Sequence, residues 1–407
     1  MDAIEKIYRQ EAAQVRATLI RLLGSFELAE EAVQMAFLAA ATQWPAQGMP
    51  ANPRSWLVST GRFRTIDMLR RRARFRVLEP EIARMMEEDD EGRPDPDLVQ
   101  DDILRLIFTC CHPALPPDQQ TALCLREVCG LTTEAIAAAF LTRAPTMAQR
   151  IVRAKGRIKT LALPYEVPSK LEMDVRLETV LRVIYLVFSE GYAAAGGKEI
   201  LRTELCEEAI RLARLLGEHM SSPDIDGLLG LMLLQHSRRA ARLDADGSPT
   251  PLTDQNRSLW DADSIREGRP LVRNALSKPP YSTYTLQGAI AAIHADALRS
   301  GVIDWAAIAS YYDLLAIADP GPVVELNRAI AIGMRDGPEA GLARIDVLIS
   351  ASELTAYRYI RLARADFLRQ LGRRDEARSE YKAAMTLTEA EAERKFIQRR
   401  LDELDAG

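Results

Sequence analysis

Arg54–Arg76 reads RSWLVSTGRFRTIDMLRRRARFR and carries eight arginines against one acid, Asp67. At about 100° per residue the stretch is predicted to form one helix. Val58, Gly61, Thr65 and Leu69 share a face that turns toward the protein. Trp56, Thr60, Phe63, Asp67 and Arg70 recur at i, i+4, i+7, i+11 and i+14 on the other, flanked by Arg62, Arg64, Arg71 and Arg72. Guanidinium groups neutralise phosphates, and aromatic rings stack on unpaired bases without demanding a particular sequence. This face therefore suits a nucleic-acid backbone beside unstacked bases. The plainer alternative is a solvated Arg-rich helix with both rings tucked into a neighbour, and the surrounding chain has to decide between them.

The chain has 407 residues, 47% of them hydrophobic and 27% charged, an ordinary balance for a globular protein of several domains. Net charge is only −5, so a nucleic-acid surface has to be a local patch. Five scattered cysteines argue against a disulfide framework and for a reducing compartment. The N-terminal stretch lacks the basic start and apolar core of a signal peptide, and no apolar run approaches the roughly 20 residues that span a bilayer. The expected location is cytoplasmic, without a membrane partner.

Upstream, Ile4–Leu23 and Leu28–Trp44 read as helices broken at Gly24. The second opens on Glu27, Glu30 and Glu31, acids where the helix dipole favours them, followed by Ala32, Val33, Ala36, Phe37 and Ala40. It reads either as a core helix or as an amphipathic helix that docks its acidic edge on a basic partner. PAQGMPANP (Pro45–Pro53) is a stiff loop, either a plain connection or a place to hold a flipped base. Beyond the Arg-rich helix, Glu79–Asp102 holds eleven acids against Arg84 and Arg93, with Pro80, Pro94 and Pro96, and is expected to be a solvated linker that competes with DNA for the basic faces.

A second basic element follows. Pro116, Pro117 and Asp118 start a helix over Gln119–Val128, Gly130 ends it, and Thr132 is a credible N-cap for TTEAIAAAF; a turn at Leu141–Pro145 then leads to TMAQRIVRAKGRIK. Met147, Ile151, Ala154 and Ile158 fall inward, whereas Ala148, Gln149, Val152, Arg153 and Gly156 fall outward, flanked by Arg150, Lys155 and Arg157. From Arg143 to Lys159 there are six cations and no acid. An apolar inner stripe beneath a one-signed outer face describes a helix-turn-helix whose second helix enters a major groove. Cys110, Cys111 and His112, with Cys124 and Cys129, invite a zinc reading, but their spacing matches no usual ligand pattern, and no metal is expected.

Two DNA-facing helical modules joined by an acidic linker resemble a sigma factor. AEEAVQMAFLAA (Ala29–Ala40) and NPRSWLVSTGRFRTIDMLRRRAR (Asn52–Arg74) are similar to region two of the extracytoplasmic-function branch of the sigma-70 family, and LREVCGLTTEAIAAAF with TMAQRIVRAKGRI is similar to region four. The resemblance implies an all-α fold with a region two bundle at 1–76, an acidic linker at 77–102 and a region four helix-turn-helix at 103–163. It implies that Glu30, Glu31, Gln34 and Phe37 bind core RNA polymerase at its clamp helices, with further contact at the flap. Trp56, Thr60, Arg62, Phe63, Arg64, Asp67, Arg70, Arg71 and Arg72 would read and melt the minus-ten promoter element, and Thr146, Gln149, Arg150, Arg153, Lys155 and Arg157 would read the minus-thirty-five element. Phe63 replaces the family's common Asn, Met35 its common Glu, Leu141 its usual turn Gly, and Ala148 a commonly charged residue.

Ordinary members of that branch end soon after region four, whereas this chain continues through 164–407. After LPYEVPS (Leu163–Ser169), amphipathic helices are expected over Val175–Tyr192, Glu199–Leu216, Asp224–Leu243 and from Leu286 to Leu387, with an irregular Pro/Gly-rich stretch at 244–284. Leu371-Gly372, Ala377, Tyr381 and Ala384 are spaced like a tetratricopeptide unit, and stacked helical pairs build a concave partner surface. FSEGY (Phe188–Tyr192) and LTDQNRSLWD (Leu252–Asp261) resemble the subgroup with a long tetratricopeptide-like extension. The resemblance implies that the extension controls activity by contacting the sigma domains. His219, His236 and His294 lie far apart, no glycine-rich phosphate loop follows a strand, and neither enzyme activity nor a cofactor is expected. A DNA-binding regulator that never engages polymerase, or a helical scaffold, are the other readings.

Overall fold

The computed structural model describes residues 2–73, 96–192 apart from Leu141, Pro164, Val167 and Ser169, and 203–406 apart from Ala245, Ser352, Glu353, Thr355, Ala356 and Glu389. The acidic run Glu87–Glu91, with its expected competition for the basic faces, lies outside the described residues. Among those residues all regular structure is helical except one isolated bridge between Leu243 and Pro249. The chain forms two compact units, 1–190 and 191–407.

The first unit starts with α1 (Asp2–Leu23), α2 (Phe26–Gln47) and α3 (Pro53–Ala73). Gly24 at φ +65° ends α1, and the Ser25 hydroxyl accepts from the Leu28 N–H to open α2. The helix α2 runs through Pro45 to Gln47, so the connection predicted over Pro45–Pro53 shrinks to residues 48–52. Val15, Leu19, Leu23, Val33, Ala36, Leu57, Val58 and Ile66 fill the core between the three helices. Gly61 permits this fit: a Cβ there would lie 2.9 Å from the Ala32 carbonyl oxygen and 3.2 Å from Leu19, so only glycine lets α3 lie flat on α2.

Next come α4 (Pro96–Cys110), α5 (Pro117–Glu127), α6 (Thr133–Ala139), α7 (Ala144–Thr160) and α8 (Lys170–Tyr192). The helix α4 begins inside the stretch read as solvated linker. Asp102, expected there, is fully buried, with Arg21 at 2.7 Å and Arg105 at 2.8 Å. The Tyr165 hydroxyl lies 3.0 Å from the Ala17 carbonyl oxygen and 3.2 Å from that of Asp102, and burial raises its pKa well above the usual value. The division between the units falls inside α8, beyond the Pro-bounded stretch at 163–169.

The second unit holds α9 (Thr203–His219), α10 (Pro223–His236), α11 (Ala262–Leu276), α12 (Thr283–Ser300), α13 (Trp305–Ala318), α14 (Pro322–Asp336), α15 (Pro338–Ser350), α16 (Arg358–Gln370), α17 (Arg374–Thr386) and α18 (Glu391–Ala406). The helix α10 is apolar on every side, as a helix enclosed by others must be. Its predicted extension to Leu243 is replaced by a stop at His236 and a 3₁₀ turn over Arg239–Ala241. The stretch 244–284, expected to be irregular, contains α11, whose N-cap Asp261 accepts from the N–H groups of Asp263 and Ser264. Gly227 and Gly230 of α10, Gly268 of α11 and Gly288 of α12 bring these helices together. A Cβ on Gly230 would stand 2.6 Å from Val272 and 3.0 Å from the Gly268 carbonyl oxygen.

Candidate nucleic-acid and polymerase interface

The helix-turn-helix is α5 to α7. The Thr132 hydroxyl accepts from the Ala135 N–H at 3.1 Å, as a cap should, and α7 packs on α5 and α6 through Met147, Ile151, Ala154 and Ile158, all buried. The outer face exposes Thr146, Gln149, Arg153 and Arg157, with Val152 66% exposed among them. An exposed apolar residue between two arginines is the kind of group that meets a thymine methyl in a major groove.

Two cations assigned to that face are already engaged. Arg150 pairs with Asp118 at 3.2 Å. Lys155, only 11% exposed, points instead between Glu127 at 2.9 Å and Glu30 of α2 at 3.7 Å, with the Phe26 ring centroid 5.6 Å away. Arg126 adds a 2.8 Å bond to Glu30, and the buried Arg16 donates to the carbonyl oxygens of Arg126 and Glu127 at the C-terminal end of α5, where a cation offsets the helix dipole. The result is a clasp in which α2 and the helix-turn-helix hold each other through charge.

On α3, Val58, Gly61 and Thr65 are buried as expected, whereas Leu69 is half-buried. Phe63 is 70% exposed, and Arg70 and Arg71 stand in solvent, Arg71 bonded to Asp67 at 2.8 Å. Thr60, Arg62 and Arg64 are half-buried, and the Arg72 side chain lies outside the described residues. Trp56 is not a free platform: its ring meets Trp44 edge to face at 5.3 Å. On this helix the exposed aromatic ring is Phe63.

Of the residues assigned to polymerase, Glu31 and Gln34 are exposed, Glu30 is in the clasp, and Phe37 is buried against Tyr8 with ring centroids 4.9 Å apart. The amphipathic pattern of α2 turns Phe37 inward with Val33 and Ala40. It leaves Glu27, Glu31, Gln34 and Leu38 as one outward stripe, and Leu38 is 64% exposed. The i, i+4, i+7, i+11 spacing of these four was readable in the sequence, but Leu38 went unassigned.

Cys110, Cys111 and Cys124 are buried, and burial raises the Cys110 thiol well above its ordinary pKa. His112 Nδ1 accepts from the Ala114 N–H and shapes the turn before α5. Among the described residues no group of three His, Cys, Asp or Glu side chains is placed to hold a metal ion, and no helix is long and apolar enough to cross a membrane.

The clasp makes two measurable statements. Lys155→Met strands the Glu127 carboxylate, 2% exposed, without its cation, and is expected to cost about 3 kcal/mol in urea unfolding. Arg153→Met on the outer face should stay within about 0.5 kcal/mol. Burial pushes the Glu30 carboxyl up, but Lys155, Arg126 and Arg16 outweigh it and set its pKa below the ordinary 4.5. A depressed folded pKa means that this contribution is present above 4.5 and is lost as pH falls through the lower folded value. Spin labels on α2 and α7 should therefore separate on acidification below that range, and Glu30→Gln should remove this component of the transition.

A profile described as Sigma-70 region 2 matches residues 7–75, one described as Sigma-70, region 4 matches 105–158, and a family of unknown function (DUF6596) matches 176–276. An uncharacterized protein of Rhizobium meliloti (strain 1021) is 42% identical over 398 residues, covering 97% of this chain and 94% of its own. No solved structure matches the chain. With both sigma modules in order on one all-helical chain and a long helical part after them, the protein belongs to the sigma-70 family, in the extracytoplasmic-function-like form with a C-terminal extension.

Proposed function

We propose that the protein is an alternative sigma factor that binds core RNA polymerase, opens promoters through α3 and positions itself upstream through α7, under the control of its own C-terminal helical domain. The observation that carries this reading is the coexistence, on one chain with both sigma regions, of three outward faces: Phe63 with Arg70 and Arg71, Gln149 with Arg153 and Arg157, and the stripe Glu27, Glu31, Gln34 and Leu38. The stripe grips the clamp helices of polymerase, the first face takes the melted minus-ten strand, and the second enters the major groove at minus-thirty-five.

Glu30 and Lys155 act in a second way: while paired with each other they are withheld from polymerase and from DNA. Docking on polymerase separates α2 from the helix-turn-helix and releases both. Residues 164–407, whose α14–α15 and α16–α17 pairs follow a tetratricopeptide-like spacing, set how readily that happens through contact with the sigma domains. The test is gel filtration of the full-length protein with core RNA polymerase. Co-migration at equimolar ratio is expected. A protein that shifts DNA by itself but never co-migrates is a helix-turn-helix regulator, and one that does neither is a scaffold.

A further inference from the structure

The motif LTDQNRSLWD (Leu252–Asp261) builds one wall of a cleft of about 670 Å³ in the second unit. Gln255, Asn256 and Arg257 face Val302, Ile303 and Trp305 across it. That size lies within the range of small-molecule sites. The Asn256 side chain accepts from the Ser258 N–H and opens the 3₁₀ turn Arg257–Leu259, which carries the Arg257 guanidinium at the cleft wall.

The guanidinium groups beside this cleft lack acid partners. Arg238 and Arg257 lie 6.0 and 5.8 Å from the Trp260 ring, and among the described residues no carboxylate pairs with either, although Arg238 donates to the Tyr192 hydroxyl. Of the nearby acids, Asp254 pairs with Arg400 at 3.0 Å and Asp261 with Arg239 at 3.1 Å, while Asp304 keeps its charge and caps its helix through the Ala307 N–H at 2.9 Å. His294 meets Trp305 edge to face at 5.6 Å, with Nδ1 buried and without a hydrogen-bond partner. Burial, with Arg238 and Arg257, pulls its pKa down to about 4, so at neutral pH it is an uncharged ring and adds no cation. Gln255 is 9% exposed; its Nε2 donates to the Thr250 carbonyl, while its Oε1 lacks a donor.

A half-buried guanidinium without an acid, Arg257, facing a half-exposed indole, Trp305, across the cleft makes a poor core and a good receptor. The planar fork of Arg matches carboxylate and phosphate oxygens equally well, and the indole offers a flat apolar wall. We propose that this cleft binds a small oxyanion, carboxylate or phosphate, borne on a flat ring, with Arg257 taking the charge and Trp305 packing on the ring. The proposal rests on the second unit alone and stands whether or not the chain serves polymerase.

The test is isothermal titration of the full-length protein with benzoate, phenyl phosphate and inorganic phosphate, with tryptophan fluorescence as a second reading. Saturable binding of benzoate or phenyl phosphate, about tenfold tighter than inorganic phosphate, is expected, and which of the two binds tells carboxylate from phosphate. Arg257→Gln, at a half-exposed position, should weaken that binding about tenfold or more with an unchanged melting temperature. Trp305→Leu should erase the preference for ring-bearing probes. No saturable binding of any probe, binding of inorganic phosphate alone, or undiminished affinity in Arg257→Gln would overturn the proposal.

Discussion

Leu38→Arg combined with Glu31→Arg is expected to weaken retention of the full-length protein on core RNA polymerase about a hundredfold, close to 2.7 kcal/mol. Leu38 is the one large apolar side chain on the outer stripe of α2, and at 64% exposure it contributes little to the fold of the unit that carries it. A helix that docks in a groove concentrates its energy in such an anchor, and acids beside it steer it to a basic surface. An arginine in place of Leu38 would be desolvated without a partner, and one in place of Glu31 would meet like charge. Because both sites face solvent, the variant should melt within a few degrees of wild type, which separates lost docking from lost fold. Phe37→Ala offers the contrast. Phe37 is 8% exposed and packs on Tyr8, so its removal should act first on stability, at about 3 kcal/mol.

The second large effect is expected in the C-terminal unit. Gly333 of α14 and Gly341 of α15 lie on either side of the tight turn at Gly337, and the Phe367 ring of α16 drops into the gap they leave. A Cβ on Gly341 would stand 2.5 Å from Phe367 and 2.8 Å from the Gly333 Cα, and the backbone half of that clash cannot be relieved by rotating a side chain. Gly341→Val should therefore destabilise the unit by about 3 kcal/mol, seen as a lower urea midpoint. Adding Phe367→Leu should recover only part of the loss, because the ring can be trimmed and the backbone contact cannot. Full recovery would mean that the helices are not packed this closely.

Local periodicity carried much of the molecule. The inner stripe Met147, Ile151, Ala154 and Ile158 and the cap at Thr132 follow from rules that act within a few residues, and they stand as read. What the sequence hid was tertiary. Nothing local announces that Lys155, third of the five cations on α7, turns away from its neighbours to meet Glu30 and Glu127, because that choice depends on where α2 packs. Trp56 lost its free face to Trp44 for the same reason.

Composition misled where packing overrode propensity. The stretch around α11 contains Gly268 and Pro270 and looked irregular, yet that glycine is what allows α11 to approach α10, and a Cβ there would lie 3.2 Å from the Gly230 carbonyl oxygen. The highly charged α18 escaped notice because few apolar positions mark it, although Ile397, Leu401 and Leu404 are buried at the spacing of a helix face. Asp102 looked like one more solvated acid at the end of an acidic run, and it became a buried carboxylate only because Arg21 and Arg105 converge on it.

In the proposed mechanism α3 and α7 serve one promoter while α2 holds the transcription machinery. Run-off transcription tests it most directly, with core RNA polymerase, the full-length protein and a pool of its own genomic upstream fragments. Discrete start sites that require the protein are expected, with open-complex formation impaired in Phe63→Ala and upstream dependence reduced in Arg153→Ala. Transcription that never depends on the protein, or start sites indifferent to both substitutions, would contradict it.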